Sequence, residues 1–286
     1  MISDSQTNKI YFSERLRSDL RFTETCNQIT NILDSYKVDY TFLEKTKDIW
    51  ARDFMPIQVS EDKFIEYRYD PDYLQGTLQE NKVECREIKT YPDIVCDWLK
   101  LKTIKTDIIL DGGNVIKSKN CVILTDKIVS ENQFWYDKTK LIKQLGELFE
   151  VDHVVLIPWW TKEPYGHADG MLRFIDEKTV IINEVEKTPK LEKVLKELGL
   201  KWEYIRYEVK NPNEDLNWAY INFLQTKDLI LLPKLNIDED EQAFKQIEIY
   251  YPDYASNNRI VQIDMTEIVK EGGALNCISW TIKSNR

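Results

Sequence analysis

The 286-residue chain is 42% hydrophobic and 12% aromatic, enough apolar material for a core and too much for a disordered polymer. A formal net charge of -10 argues against a nucleic-acid partner, which needs concentrated Lys and Arg, and suits a cationic ligand instead. No stretch reaches the length of a membrane span, and the N-terminus lacks the apolar core of a signal peptide, so a cytoplasmic protein with no membrane partner is expected.

In chain order, the pattern predicts a helix over residues 13–36, then the strand VDYTFL. A hairpin follows from Asp53 (DFMPIQVSEDKFIEYRY), then a helix over 92–101 and a second hairpin from Gly113 (GNVIKSKNCVILTDKIV). A helix over 137–149 and the strand HVVLIPW lead to a third hairpin from Gly170 (GMLRFIDEKTVIINEV). Next come a helix over 189–198, the strand WEYIRYEV and a fourth hairpin from Trp218 (WAYINFLQTKDLILLP). A helix over 239–250, the strand RIVQIDM and a fifth hairpin from Ala274 (ALNCISWTIKSNR) complete the chain. The turns SED, KSKN, DEK and QTKD carry the polar residues that hairpins favour.

Hairpins thus recur roughly every 50 to 60 residues, a spacing that signals a repeat architecture. The repeating unit reads as helix, strand, hairpin, five times over. A unit of that size cannot bury its own apolar face, so the units must pack on one another. The expectation is one domain over residues 1–286, an α/β fold of five pseudo-symmetric propeller blades about an axis. An open doubly wound sheet fits less well, because hairpins would interrupt its parallel crossovers.

Chemically suggestive residues fall in register on this scheme. Asp53 opens the first hairpin, Asp111 precedes the second, His167 and Asp169 precede the third, and Cys277 lies at the start of the fifth. Equivalent ends of repeated units converge on the axis, so these residues can share one pocket. In a strand, positions two apart face the same way, which lets His167 and Asp169 address one ligand. A thiol, an imidazole and a carboxylate suit nucleophilic attack on an electron-poor, positively charged carbon. The five cysteines (Cys26, Cys85, Cys96, Cys121, Cys277) form no CxxC pair or Cys/His cluster, so neither a zinc site nor a disulfide framework is expected. No cofactor is called for, and Cys26, Cys85, Cys96 and Cys121 read as small buried hydrophobes, as His153 reads as structural.

The stretches DIWARDFMP (48–56), DGGNV (111–115), GHADGMLRF (166–174) and GGALNCIS (272–279) together resemble the guanidine-modifying α/β-propeller superfamily. Within it they resemble the agmatine deiminase and bacterial peptidylarginine deiminase family. The sequence departs from that family's usual pattern at Asp111, commonly a glutamate, at Asn276, usually a histidine, and at Met55, often a glycine. The resemblance implies a five-bladed propeller of the pentein type that hydrolyses a C–N bond of a small cationic guanidine through a cysteine-bound intermediate. It implies Cys277 as nucleophile, His167 as acid and then base, Asp53 and Asp169 as guanidinium-binding carboxylates, and Asp111 as the group that orients His167. Trp50 and Asn114 are expected to contact substrate, and Trp159, Trp160 and Tyr165 are further candidates for the pocket wall. Agmatine, giving N-carbamoylputrescine, is the leading substrate implied. Peptidyl- or free arginine, an amidinotransferase, and a catalytically silent propeller binding a cationic ligand are the alternatives. A homo-oligomer is left open.

Overall fold

The computed structural model describes residues 1–75, 87–159 and 165–285. Among these, fifteen strands form five sheets of three. They are β1 (Lys9–Ser13), β2 (Asp39–Leu43), β3 (Ile57–Ser60), β4 (Lys63–Arg68), β5 (Ile104–Ile109), β6 (Ile116–Lys117), β7 (Cys121–Thr125) and β8 (His153–Ile157). The series continues with β9 (Leu172–Phe174), β10 (Thr179–Asn183), β11 (Lys201–Ile205), β12 (Leu224–Gln225), β13 (Ile230–Lys234), β14 (Ile260–Asp264) and β15 (Ser279–Ile282). The sheets run β15-β1-β2, β3-β4-β5, β6-β7-β8, β9-β10-β11 and β12-β13-β14. In each, an antiparallel pair is extended by a third strand lying parallel to the middle one. This is a five-bladed α/β propeller, as expected.

Burial explains the sequence texture. The middle strands CVILT, TVIIN and ILLPK are covered on both faces, so they read as near-continuous apolar runs rather than alternating ones. A parallel third strand cannot be reached by a tight turn, so a helix crosses over to it. The helix Lys138–Phe149 shows how these crossovers are built. The Asp137 side chain caps it by accepting from the Lys140 backbone N–H, and Glu150 ends it in the left-handed conformation. Leu141, Leu145 and Phe149, spaced four apart, are its buried stripe. Each such side chain contributes about 2 kcal/mol on leaving water. Among the described residues no helix is long and apolar enough to cross a membrane.

Four features differ from the sequence reading. First, the strand after each helix pairs with the hairpin before it, so the unit is hairpin, helix, strand rather than helix, strand, hairpin. Second, the fifth antiparallel pair is not a local hairpin. Strand β15 pairs with β1, Lys9 opposite Ile282, because KIYFS is itself a strand that buries Ile10 and Phe12. Third, the helix expected over 13–36 is two helices, Glu14–Ser18 and Thr23–Tyr36. The break falls where the Asp19 carboxylate accepts from the Arg21 backbone N–H, a local bond that competes with helix continuation. Fourth, Asn217–Tyr220 is a 3-10 turn and the helix Lys127–Asn132 replaces the end of the second expected hairpin. Cys85 and Trp160 lie outside the described residues.

Candidate active site

Each sheet presents the loop before its first strand toward the axis, and the functional candidates sit on those loops. Asp53 lies in the helical turn Ala51–Phe54 before β3, and Asp111 immediately precedes the turn Gly112–Asn114 before β6. His167 and Asp169 precede β9, and Cys277 precedes β15. The fourth loop, before β12, supplies Asn222, which the sequence reading did not single out.

Five hydrogen bonds join these loops into a closed ring. The Gly113 N–H donates to Asp53 Oδ1 (3.0 Å), and the Asp169 N–H to the Gly113 carbonyl (3.1 Å). Asn222 Nδ2 donates to the Asp169 carbonyl (3.4 Å), the Asn276 N–H to the Asn222 carbonyl (3.0 Å), and the Arg52 N–H to the Cys277 carbonyl (3.0 Å). Asn222 is buried, and its Oδ1 also accepts from the backbone N–H groups of Asn276 (3.1 Å) and Cys277 (3.2 Å). One carboxamide therefore fixes the cysteine's backbone against the loop of Asp169. Such buried N–H groups are costly to leave unpaired.

The side chains converge inside this ring. His167 Nε2 is 3.0 Å from Asp111 Oδ2, and its Nδ1 is 3.7 Å from Asp53 Oδ1. The shorter arm of Asp111 reaches the imidazole, so the departure from glutamate leaves this contact in place. The Cys277 thiol lies 3.5 Å from Asp169 Oδ2, toward which its proton is directed. Asn276, at the family's usual histidine position, donates to the same oxygen at 2.7 Å and fixes the carboxylate. Gly113 has no room for a side chain: a Cβ there would fall 2.6 Å from both Asp53 Oδ1 and His167 Nδ1. Arg52 and Asp53 are neighbours in a helical turn and diverge. Asp53 faces His167, whereas Arg52 Nε reaches the Asn276 carbonyl at 3.4 Å.

Electrostatics follow from this crowding of acids. Burial pushes the Asp53 carboxyl up to about 8, with the charges of Asp169 and Asp111 adding to it against the pull of His167. Burial alone would discharge His167, but Asp53, Asp111 and Asp169 outweigh it and raise the imidazole to about 10. Near neutrality His167 is therefore an imidazolium. Burial, reinforced by Asp169 and Asp53, holds the Cys277 thiol well above its ordinary value, so the resting sulfur is protonated.

Two cavities open onto this cluster. One of about 370 Å³ is lined by His167, Asp169, Cys277 and Trp218, with Glu186, Glu214, Asp215 and Glu271 around it. The other, about 280 Å³, holds Asp53, Asp48 and Trp50 and shares His167, Cys277, Tyr165 and Glu271 with the first. Trp50 and Tyr165 thus stand where walls were expected. Trp159 lines neither cavity. Asn114 also lines neither: its Oδ1 accepts from the Thr125 N–H, which makes it a brace of its own sheet rather than a ligand contact. His153 is exposed at the start of β8, and Cys26, Cys96 and Cys121 are packed in apolar clusters. The acidic rim was not visible in the sequence because its members come from separate loops.

Five three-stranded sheets around one axis, with this polar cluster at their converging loops, define an α/β propeller of the pentein type. The chain belongs to the Porphyromonas-type peptidyl-arginine deiminase family, whose model matches residues 8–282. It is similar over its whole length to the solved agmatine deiminase of C. jejuni, with a TM-score of 0.74, 18% identity and 96% of that chain covered. A candidate agmatine deiminase of Enterococcus faecalis is 24% identical over 224 residues, and one of Mycoplasma capricolum is 22% identical over 223. Each match takes in 65% of this chain and 60% of the relative, so the chain spans about three-fifths of the curated relatives it matches.

Proposed function

We propose that the protein is a guanidine deiminase that converts agmatine and water to N-carbamoylputrescine and ammonia. The observation that carries this reading is the joint lining of one cavity by Cys277, His167 and Asp169, with Asp53 and Asp111 on either side of the imidazole. A guanidinium is planar and cationic, and its carbon resists attack. Asp53 and Asp169 bind its N–H edges and fix its plane, and the arriving cation drives the Asp53 carboxyl, raised in the empty site, into its charged form. That bound cation offsets the acids that keep the Cys277 thiol protonated, so substrate binding drives the thiol proton out to solvent through the open cavity.

The thiolate then adds to the guanidinium carbon. His167 donates its proton to the departing nitrogen, and ammonia leaves as the C–N bond breaks, giving an S-alkylthiouronium on Cys277. The imidazole next takes a proton from water, whose oxygen attacks the same carbon. Collapse breaks the C–S bond, and the hydroxyl proton passes to the departing sulfur, which restores the Cys277 thiol with the ureido product. Asp111 holds the imidazole in place through both steps.

The rim favours agmatine over arginine. Four carboxylates, Glu186, Glu214, Asp215 and Glu271, surround the larger cavity and suit a distal ammonium. Apart from His167, Lys270 is the one basic residue among its described lining, and its ammonium is 2.6 Å from Glu267. An α-carboxylate would therefore meet acids and no dedicated cation.

The test is release of ammonia and ureido product from agmatine, free arginine, an arginine peptide and simple alkylguanidines, beside Cys277→Ala. We expect agmatine to be preferred and the variant to fall by at least about 10³-fold. Undiminished turnover in the variant would refute the thiol mechanism, and preference for the peptide would refute the substrate.

A further inference from the structure

Beneath the ring of loops, on the side away from the thiol, the axis is lined by bases. A cavity of about 50 Å³ lies between Arg52, Lys117 at the end of β6, Arg173 in β9 and Asp4 of the turn Asp4–Gln6. Asp169 and Asn276 form part of its wall, and Asp169 also lines the 370 Å³ cavity above, so one carboxylate separates the two. Asp176 and Glu177 complete the charged lining.

Of the charged lining, Asp176 and Glu177 are exposed to solvent, so the three buried cations face two carboxylates, Asp4 and Asp169. Asp4 accepts from Arg173 Nη2 at 2.8 Å and lies 3.6 Å from Lys117 Nζ. Arg52 reaches only neutral acceptors, the Asn276 carbonyl at 3.4 Å and Thr281 Oγ1 at 3.5 Å. The Lys117 side chain is 7% exposed, and beyond that long contact with Asp4 its ammonium has no acceptor among the described residues. Arg173 Nε is likewise buried without an acceptor. Burial lowers the Lys117 pKa, and the guanidiniums of Arg52 and Arg173 add to this against the pull of Asp4. Three buried cations, with Asp4 the one carboxylate in contact and Asp169 the other in the wall, leave one positive charge without a counter-charge at this depth, which is costly unless an anion offsets it.

We propose that this axial cavity binds one small monovalent anion of chloride size between Arg52, Lys117 and Arg173. The volume admits such an ion with a water or two and is too small for a large organic anion. The ion is linked to the site above. Arg52 bonds the Asn276 carbonyl, and Asn276 holds the Asp169 carboxylate, so an anion drawing on Arg52 weakens the positive field under Asp169. A cationic ligand in the upper cavity then binds more tightly, and by reciprocity tightens the anion.

Chloride, bromide and gluconate sodium salts at constant ionic strength provide the test, with thermal midpoint and chloride-35 line broadening as readouts. The expected result is a higher midpoint in chloride and bromide than in gluconate, saturating with concentration, and a bromide anomalous peak between the three cations in crystals. Lys117→Met should abolish the saturable shift. Asp4→Asn should tighten the halide by roughly tenfold, because it removes the competing carboxylate. It keeps the proposal testable if Lys117→Met does not fold. Equal midpoints in halide and gluconate, or an Asp4→Asn variant with unchanged halide affinity, would overturn the site. The linkage to the upper cavity rests on the guanidine reading and has its own arm: the KM for agmatine should fall as chloride replaces gluconate. A constant KM with halide binding intact overturns the linkage alone.

Discussion

Along one axis the molecule carries two polar regions of opposite sign. The upper region gathers Asp53, Asp111 and Asp169 around one imidazole and one thiol. The lower gathers Arg52, Lys117 and Arg173 around Asp4. Only the ring of loops lies between them, and consecutive residues Arg52 and Asp53 are sent to opposite sides of it. Net charge therefore says little about either region. A helical turn at the axis sorts neighbours by sign, sending Arg52 toward one cluster and Asp53 toward the other.

The largest break in this comparison should come from Gly113→Ala. Its Cβ would land on both Asp53 and His167, forcing the acidic region's central pair apart while leaving the basic region untouched. We expect kcat to fall by about 10² or more, with about 1–3 kcal/mol of stability lost to overpacking. Steady-state kinetics and urea unfolding check this, and a variant with wild-type kcat would show that the pair does not need its spacing. Asn222→Ala removes the acceptor from the Cys277 N–H and the donor to the Asp169 carbonyl, loosening the partition itself. About 1–3 kcal/mol of stability should be lost. Haloacetamide should also label Cys277 faster than in the parent, and unchanged labelling would mean that the ring holds without this side chain.

The smallest effect sharpens the comparison by titrating one region alone. Asp53 and His167 both have folded pKa values raised, to about 8 and about 10, so the folded protein holds protons that the unfolded chain releases earlier. Each therefore contributes most below its unfolded pKa and loses that contribution as pH rises through its folded pKa. Stability should decline between about pH 4 and 8 through Asp53 and between about pH 6.5 and 10 through His167. Asp53→Asn should flatten the first interval, which thermal midpoints across that range will show. A midpoint that rises with pH throughout would contradict the assignment.

The sequence made the propeller and most of the acidic cluster legible because both leave local marks. Hairpin turns repeat, and Asp53, Asp111, His167, Asp169 and Cys277 sit in short stretches with glycines or apolar residues at set offsets. Asn222 left no such mark: it is a lone amide in the apolar run YINFL, inside the stretch that reads as the fourth hairpin. Asn114 shared a stretch with Asp111 yet turned inward, since adjacent positions of a tight turn face different ways. The basic region was illegible for a further reason. Asp4, Arg52, Lys117 and Arg173 come from four separate segments, and nothing local announces that their heads meet. The pairing of β15 with β1 was hidden in the same way, by its separation along the chain.

That last pairing governs when the thiol joins the acids. Asn8 and Ser284 exchange hydrogen bonds at 2.8 and 2.7 Å, fastening the two distant segments beside the strand that follows Cys277. On the ribosome, β1 and β2 can pair early and wait with one edge open. The carboxylates and His167 then emerge sheet by sheet, and the thiol last of all. Contacts of such long separation form slowly. Closure of the ring and placement of the sulfur are thus coupled, so a chain that stops short of Cys277 carries the acids without the thiol.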